Sequence, residues 1–295
     1  MLRKRKKYIV FLLCLVFSLL TVLPATAAVL SAVASGTTVY SNEKAKVDAS
    51  NAKDGYVMAA YNGQSKNRLK VRVTGPSGIV YTYDLNKNGN YEVFPLSDGN
   101  GKYTVGVYEN TSGNKYALAF STPVTVMLTD SYAPFLRPNQ YVNYTANSQA
   151  VKKAAELTAG KKTDLEKITA IYHYTITTLT YDKQKAQTVQ SGYLPDVDKV
   201  LAEKKGICFD YAALMTAMLR SQGIPTKLVV GYTGDVYHAW INTYIPEQGW
   251  IEGIIFFDGT NWKLMDPTFA SSANQSKQIM EYIGNGSNYS AKYLY

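Results

Sequence analysis

The sequence predicts two folded units, an antiparallel β-sandwich over residues 37–130 and an α+β domain over residues 148–272. Three observations carry this reading. Between Thr37 and Leu128 apolar and polar residues alternate in short runs, with a turn signal about every ten residues. After Ser148 apolar residues recur at three and four, the period of a helix face. Beyond Gly223 alternation returns in longer runs, so strands follow helices. A chain of 295 residues has room for about two domains. With 46% hydrophobic and 18% charged residues it is far from a disordered composition.

The first residues stand apart from the fold. Arg3 to Lys7 are all basic, Ile9 to Leu23 is apolar, and Pro24-Ala25-Thr26-Ala27 puts small residues where a signal peptidase reads. Residues 1–27 are expected to be a secretory signal, which makes the protein secreted or associated with the cell envelope. Ala32-Val33-Ala34 offers a second cut site. The alternative is an uncleaved anchor, although the apolar run is short for a spanning helix. Residues 28–36 read as a linker. Five of the 31 basic residues lie in the n-region, leaving 26 against 22 acids. A net charge of about +4 gives no reason to invoke nucleic acid. Of two cysteines, Cys14 leaves with the signal, so the mature chain has one thiol, Cys208, and no internal disulfide.

The β unit reads in order. Leu69–Val73 alternates, Gly75-Pro76-Ser77-Gly78 turns, and Ile79–Tyr83 is the next strand. Strands at Tyr91–Phe94, Tyr103–Tyr108, Tyr116–Phe120 and Val124–Leu128 follow. Their number and spacing suit an Ig-like sandwich. Asp84 to Gly89 matches the first half of a calcium loop, but the twelfth position is Pro95 where a bidentate Glu belongs, so the stretch reads as a hairpin turn and no metal is expected. The 25 tyrosines suit sheet surfaces and wet binding faces, since each ring packs like an apolar group and keeps a hydroxyl.

Residues 131–147, with Pro134 and Pro138, are the connector. Ser148 is placed to cap a helix running to about Thr158. Thr163-Asp164-Leu165-Glu166 has the form of a capping box. Leu165, Ile168, Ile171, Tyr172, Thr175 and Ile176 then form one stripe, and His173 beside it reads as structural. Asp196 can cap a short helix through Leu201. Gly206-Ile207-Cys208 opens another helix, with Ala212, Met215, Met218 and Leu219 as its stripe and Gly223 and Pro225 at its end.

The chemistry is expected around that opening. A thiol in the first turn of a helix meets free N–H groups and the positive end of the dipole, which favour the thiolate. Gly206 is expected to let the chain bend so that the sulfur is presented. Strands then run from Thr226 to Tyr232 and from Tyr237 to Tyr244, with His238 near a loop, and a hairpin from Trp250 to Phe257. Asp266 ends a strand before Pro267, which holds it extended. A nucleophile at a helix N-terminus with base and orienting acid at neighbouring strand ends is how a Cys208–His238–Asp266 triad is assembled. Taken singly, each residue has a plainer role, as core thiol, packed strand residue and turn former. A zinc site lacks ligands, with one Cys and two His in the mature chain.

Four blocks carry a family resemblance: Gly206-Ile207-Cys208, Gly223-Ile224-Pro225 to Gly231-Tyr232, His238-Ala239-Trp240 and Asp266-Pro267-Thr268. Over roughly residues 148–270 the chain resembles the transglutaminase-like core. The resemblance implies a papain-like α+β fold, with a helical half carrying the thiol and an antiparallel sheet carrying His and Asp. Lys227 stands where Arg is common in the family. The stretch from Ile251 to Asn261 looks like an additional hairpin, and residues 273–295 read as a tail packed on the catalytic domain. Tyr181 is the candidate second oxyanion donor, with core packing as its alternative. Trp240 should share a strand face with His238, and Trp250 and Trp262 are candidates to wall the cleft. The expected function is attack of Cys208 on an amide of a peptide or protein, without a cofactor, through a thioester. Water resolving the thioester gives a protease or amidase, and an amine gives a cross-linking transglutaminase. The other class of reading is a catalytically silent surface-binding or adhesion protein.

Overall fold

The structure is a computed structural model that describes residues 29–246, 248–253, 255–257, 262–264 and 289–295. The signal segment, Asp266 and residues 265–288 lie outside the described residues.

Eight strands build the first unit: β1 (Val39–Ser41), β2 (Ala45–Asp48), β3 (Tyr56–Tyr61), β4 (Leu69–Thr74), β5 (Val80–Leu85), β6 (Glu92–Pro95), β7 (Gly101–Ser112) and β8 (Lys115–Val126). They form two four-stranded antiparallel sheets, β1-β2-β3-β6 and β5-β4-β7-β8. Alternation decides which residues turn inward: Leu69, Val71 and Val73 are buried while Arg72 between them is exposed. The inward residues of both sheets join one apolar cluster, with Val57 and Ala59 from one and Val105 and Val107 from the other.

Two local readings are corrected. Asn86 to Gly89 is a crossover between sheets, since β5 pairs with β4 and β6 pairs with β3. Its conformation is set by Asx turns, with Asn88 N–H donating to Asn86 Oδ1 (3.1 Å) and Asn90 N–H to Asn88 Oδ1 (3.0 Å), and by Gly89 at φ 79°. Asp84 faces Lys70 at 2.6 Å. The strands expected at Tyr116–Phe120 and Val124–Leu128 are one continuous strand, β8, which passes through Pro123. Proline is tolerated there because β8 is an edge, so no ladder bond is lost on its open side.

Residues 29–36 have no regular structure, and backbone contacts lay them on this unit: Gly36 N–H donates to Asp48 Oδ2 at 2.7 Å and Asn51 Nδ2 to the Val33 carbonyl at 2.7 Å.

Among the described residues the second unit has five α-helices: α1 (Gln149–Thr158), α2 (Asp164–Thr178), α3 (Lys183–Thr188), α4 (Val197–Glu203) and α5 (Cys208–Arg220). The capping box forms as read, with Glu166 N–H on Thr163 Oγ1 and Thr163 N–H on Glu166 Oε2. Asp196 caps α4 through Lys199 N–H. Ser148 precedes α1 but its hydroxyl accepts from Thr145 N–H instead of capping. Every residue of α5 from Asp210 to Arg220 is buried, so this helix lies inside the domain with no solvent face.

Strands β9 (Thr180–Tyr181) and β10 (Lys205–Gly206) form a short parallel pair just ahead of α5. The main sheet runs β13-β12-β11-β16 and is antiparallel throughout, with β11 (Thr226–Thr233), β12 (Val236–Ile245), β13 (Gly249–Ile251) and β16 (Tyr289–Leu294). β14 (Ile255–Phe257) pairs with β15 (Trp262–Leu264). The hairpin expected from Trp250 to Phe257 is therefore split, with Gly249–Ile251 joined to β12 and Ile255–Phe257 joined to β15. Together these form a mixed fold of antiparallel sheets and few helices. Residues 289–294, read as tail, are an edge strand of the central sheet. Close approach of β16 explains Gly231: a Cβ there would lie 2.0 Å from the Ser290 carbonyl oxygen.

The connector covers the open edge of β5. Gln140 bonds both backbone groups of Asp84, at 2.8 Å and 3.0 Å, and Tyr141 Oη donates to the Thr82 carbonyl at 2.9 Å. Tyr81 and Tyr83 of β5 meet Tyr141, Tyr293 and Tyr295 in one aromatic cluster, the closest pair being Tyr141 and Tyr295 with centroids 4.2 Å apart. Beside it Arg220, at the end of α5, is buried. Its guanidinium donates to the carbonyls of Thr226 (2.8 Å), Arg137 (2.6 Å) and Tyr295 (2.6 Å). Burial pulls this group down to about 10, so it keeps its charge at neutral pH.

Replacing Arg220 by Leu removes a donor from three carbonyls, of which that of Tyr295 keeps Leu228 N–H, and the expected loss is about 3 kcal/mol in urea unfolding. Asp48 offers a pH test. Burial pushes its carboxyl up, but hydrogen bonds from the Ser50 hydroxyl and from the N–H groups of Ser50 and Gly36 outweigh this and hold it below its ordinary value. A depressed folded value contributes stability above the unfolded value of roughly 3.9, and this is lost as pH falls through the folded value. Asp48→Asn should be less stable at pH 6 and should lose less stability between pH 5 and pH 3, as measured by thermal unfolding.

Candidate functional site

Cys208 is the first residue of α5, with Ile207 as N-cap in extended conformation. Ile207 has no side-chain oxygen to accept from the free N–H groups of the first turn. Part of the capping comes from the other side: Asp210, two residues after the thiol, accepts from Ile207 N–H at 2.8 Å. Gly206 does not adopt the left-handed backbone that a glycine-dependent bend would show. Its requirement is room, since a Cβ on Gly206 would lie 2.6 Å from Asp210 Cβ. The expected bend is thus replaced by a packing constraint.

His238 is on β12 opposite Gly231 of β11 and is 6% exposed. Trp240, two residues on, stacks along the same face with ring centroids 6.4 Å apart, is itself buried, and meets Tyr289 edge-on. Cys208 and His238 line one cavity of about 700 Å3. Tyr141, Tyr181, Tyr193, Phe209, Tyr237 and Tyr295 supply most of its aromatic surface. Burial raises the Tyr237 phenol above its ordinary value, so its hydroxyl remains a donor. Two of the three sequence-predicted site residues are thus brought to one cleft, and the third, Asp266, lies outside the described residues.

The other candidates separate. Tyr181 lines the cavity from β9, in register with Gly206. His173 is exposed on α2 rather than packed in its stripe. Trp250 does not line this cavity: its ring packs edge-on against Phe135 of the connector and holds Lys227 Nζ 3.7 Å from its centroid. Burial among these rings lowers the Lys227 ammonium. The side chain of Trp262 lies outside the description. Among the described residues no group of three or more His, Cys, Asp or Glu is placed to hold a metal, and no helix is long and apolar enough to cross a membrane.

Sequence reasoning missed the polar cluster beneath the thiol. Asp210 is fully buried and accepts from Lys185 Nζ at 2.6 Å and from Tyr193 Oη at 2.5 Å, besides Ile207 N–H. Lys185 also donates to Tyr193 Oη at 2.6 Å. Burial first, and the hydrogen bond to Asp210 second, hold the Tyr193 phenol well above its ordinary value, so it stays a donor. The one available signal was an acid at the third position of a helix whose N-cap has no oxygen.

Residues 151–253 match the model of the transglutaminase-like superfamily core. The Bacillus subtilis protein YebA is 31% identical over 118 residues, which is 33% of this chain and 16% of YebA. A protein-glutamine gamma-glutamyltransferase of Pseudomonas aeruginosa is 29% identical over 98 residues, 28% of this chain and 13% of the enzyme. The chain thus spans about a sixth or less of these relatives' lengths. Among solved structures, a protein of Cytophaga hutchinsonii described as a candidate cysteine protease aligns at TM-score 0.40 and 16% identity, over 78% of this chain and 72% of that one. Red sea bream transglutaminase aligns at TM-score 0.27 and 14% identity, over 72% and 48%. Both likenesses are loose, and the assignment rests on the matched stretch: residues 151–253 are a transglutaminase-like core domain.

Proposed function

We propose that the chain is a secreted thiol enzyme acting on amide bonds of peptides or proteins. Cys208 is the nucleophile, His238 the base and Asp266 the orienting acid. The observation that carries this reading is the shared cavity, in which a thiol at the start of a buried helix and a histidine at a strand edge line the same 700 Å3 space. Cys208 sulfur attacks the amide carbon, and the helix N–H groups that lack an N-cap acceptor favour negative charge as it develops. His238 takes the thiol proton and returns it to the leaving amine, which leaves a thioester. Water then attacks the thioester, with His238 as base, and releases acid and free thiol.

Transamidation is the second reading. The aromatic walls of the cleft favour it, because a drier acyl-enzyme is more open to an incoming amine. The Pseudomonas aeruginosa relative bears a name of that activity. The N-terminal unit is proposed as an Ig-like accessory domain that holds the enzyme to cell-envelope material.

The test offers the protein a glutamine-containing peptide with and without a labelled primary amine, and reads products by mass. Peptide cleavage or deamidation without amine incorporation is the expected result. Dominant amine incorporation at millimolar amine would replace hydrolysis by transamidation. Cys208→Ala should lower turnover by roughly ten-thousand-fold, and turnover that survives it would end the mechanism.

A further inference from the structure

Residues 183–192 form one side of the Cys208 cleft, yet none of them is buried. α3 has no buried residue, so apolar packing does not hold it in place. Ala186, Val189, Gln190 and Gly192 nevertheless line the cavity with Cys208 and His238. Polar contacts hold the segment instead. At its start Asp182 caps α3 through Lys185 N–H at 2.9 Å and faces Lys205 Nζ at 3.2 Å. Across its body and far end, Lys185 and Tyr193 converge on Asp210, and Lys185 Nζ also sits 4.2 Å from the Tyr193 ring centroid. Asp210 belongs to the helical turn that begins with Cys208.

Resting on the reading of Cys208 as the reacting thiol, we propose that Lys185 and Tyr193 are positioning residues that set substrate specificity, by tying segment 186–193 through Asp210 to the turn that carries the thiol. A fully buried carboxylate is expensive to desolvate, and an ion pair at such a place is weak evidence of a contribution to stability. Its geometry suits registration. Two donors from either end of an otherwise unpacked segment meet two oxygens of one side chain, and that side chain is fixed to the backbone of the nucleophile's own turn. The distance between wall and sulfur is therefore set by three short hydrogen bonds. The wall presents Val189, the Gln190 carboxamide and the backbone around Gly192, a surface suited to an extended peptide whose side chain lies beside the reacting amide. Width of the cleft at this wall selects what reaches Cys208.

The experiment labels the full chain with iodoacetamide, which is small, and with fluorescein maleimide, which is bulky. Rates are read by mass on the peptide containing Cys208. In Lys185→Met and in Tyr193→Phe the ratio of bulky to small labelling should rise about tenfold, the opening expected when a charge-assisted bond to a local segment is lost. Lys185→Arg should keep the ratio within about twofold of the parent, since it retains the charge and donors. Val189→Trp, on an exposed segment that does not carry the core, should slow the maleimide selectively. An unchanged ratio in Lys185→Met and Tyr193→Phe would overturn the proposal, as would equal slowing of both reagents in Val189→Trp. Absence of turnover on every peptide would remove the enzyme reading and leave these labelling ratios as they are.

Discussion

Arg220 is the contact on which the rest of the arrangement depends. It ends the helix that begins with Cys208, and its three donors reach the start of β11, the connector and Tyr295, which follows β16. Of the accepting carbonyls, that of Thr226 opens β11, that of Arg137 lies in the connector, and that of Tyr295 also accepts from Leu228 N–H of β11. One planar cation with five N–H groups in a fixed fork satisfies three such carbonyls at once. A lysine has one nitrogen and cannot span them. The thiol at one end of α5 and the contact with the connector at the other are therefore the two ends of a single helix that is buried from Asp210 to Arg220.

The junction also gathers five of the 25 tyrosines. Tyr141 fills the space between units with its ring and uses its hydroxyl to satisfy the edge of β5. A phenylalanine would pack as well and leave the Thr82 carbonyl bare. The sequence reading assigned tyrosines to sheet surfaces and wet faces. In the structure several of them lie at a dry contact between a sheet edge, a connector and a C-terminal strand, while Tyr237 remains at the mouth of the cleft.

What was legible in the sequence was local. Thr163 with Glu166, Asp196 before α4 and Gly223 after α5 act within one turn, so their signals are complete in four or five residues. The positions of β4 to β7 followed from alternation, whereas β1, β2 and β3 were not placed, β3 being buried along its whole length, and sheet membership was not legible at all. Nothing around Asn86 says that the chain is changing sheets, and Pro123 reads as a break unless its strand is known to be an edge. The pairing of β16 with β11 was hidden because the two are distant in sequence. Cys208 and His238 were legible because each sits in a short block with a recognisable neighbour. Lys185 and Tyr193 were not, since each matters only through Asp210, and that convergence exists only once α3 has folded back beside α5.

The pairing of β16 with β11 has a consequence for how the molecule comes into being. The hairpin of β11 and β12, with His238 on it, is a local pairing that needs no distant segment. The strand that completes its open edge and brings Tyr295 to the cleft is synthesised well after it. Until then one edge of the central sheet lacks its partner strand, Arg220 lacks one of its three acceptors and the cleft lacks the wall that Tyr295 supplies. A chain in which β16 has not docked would hold thiol and imidazole without the enclosure. Completion of the site depends on docking of the segment that ends in Tyr295 as well as on formation of the helix that bears the sulfur.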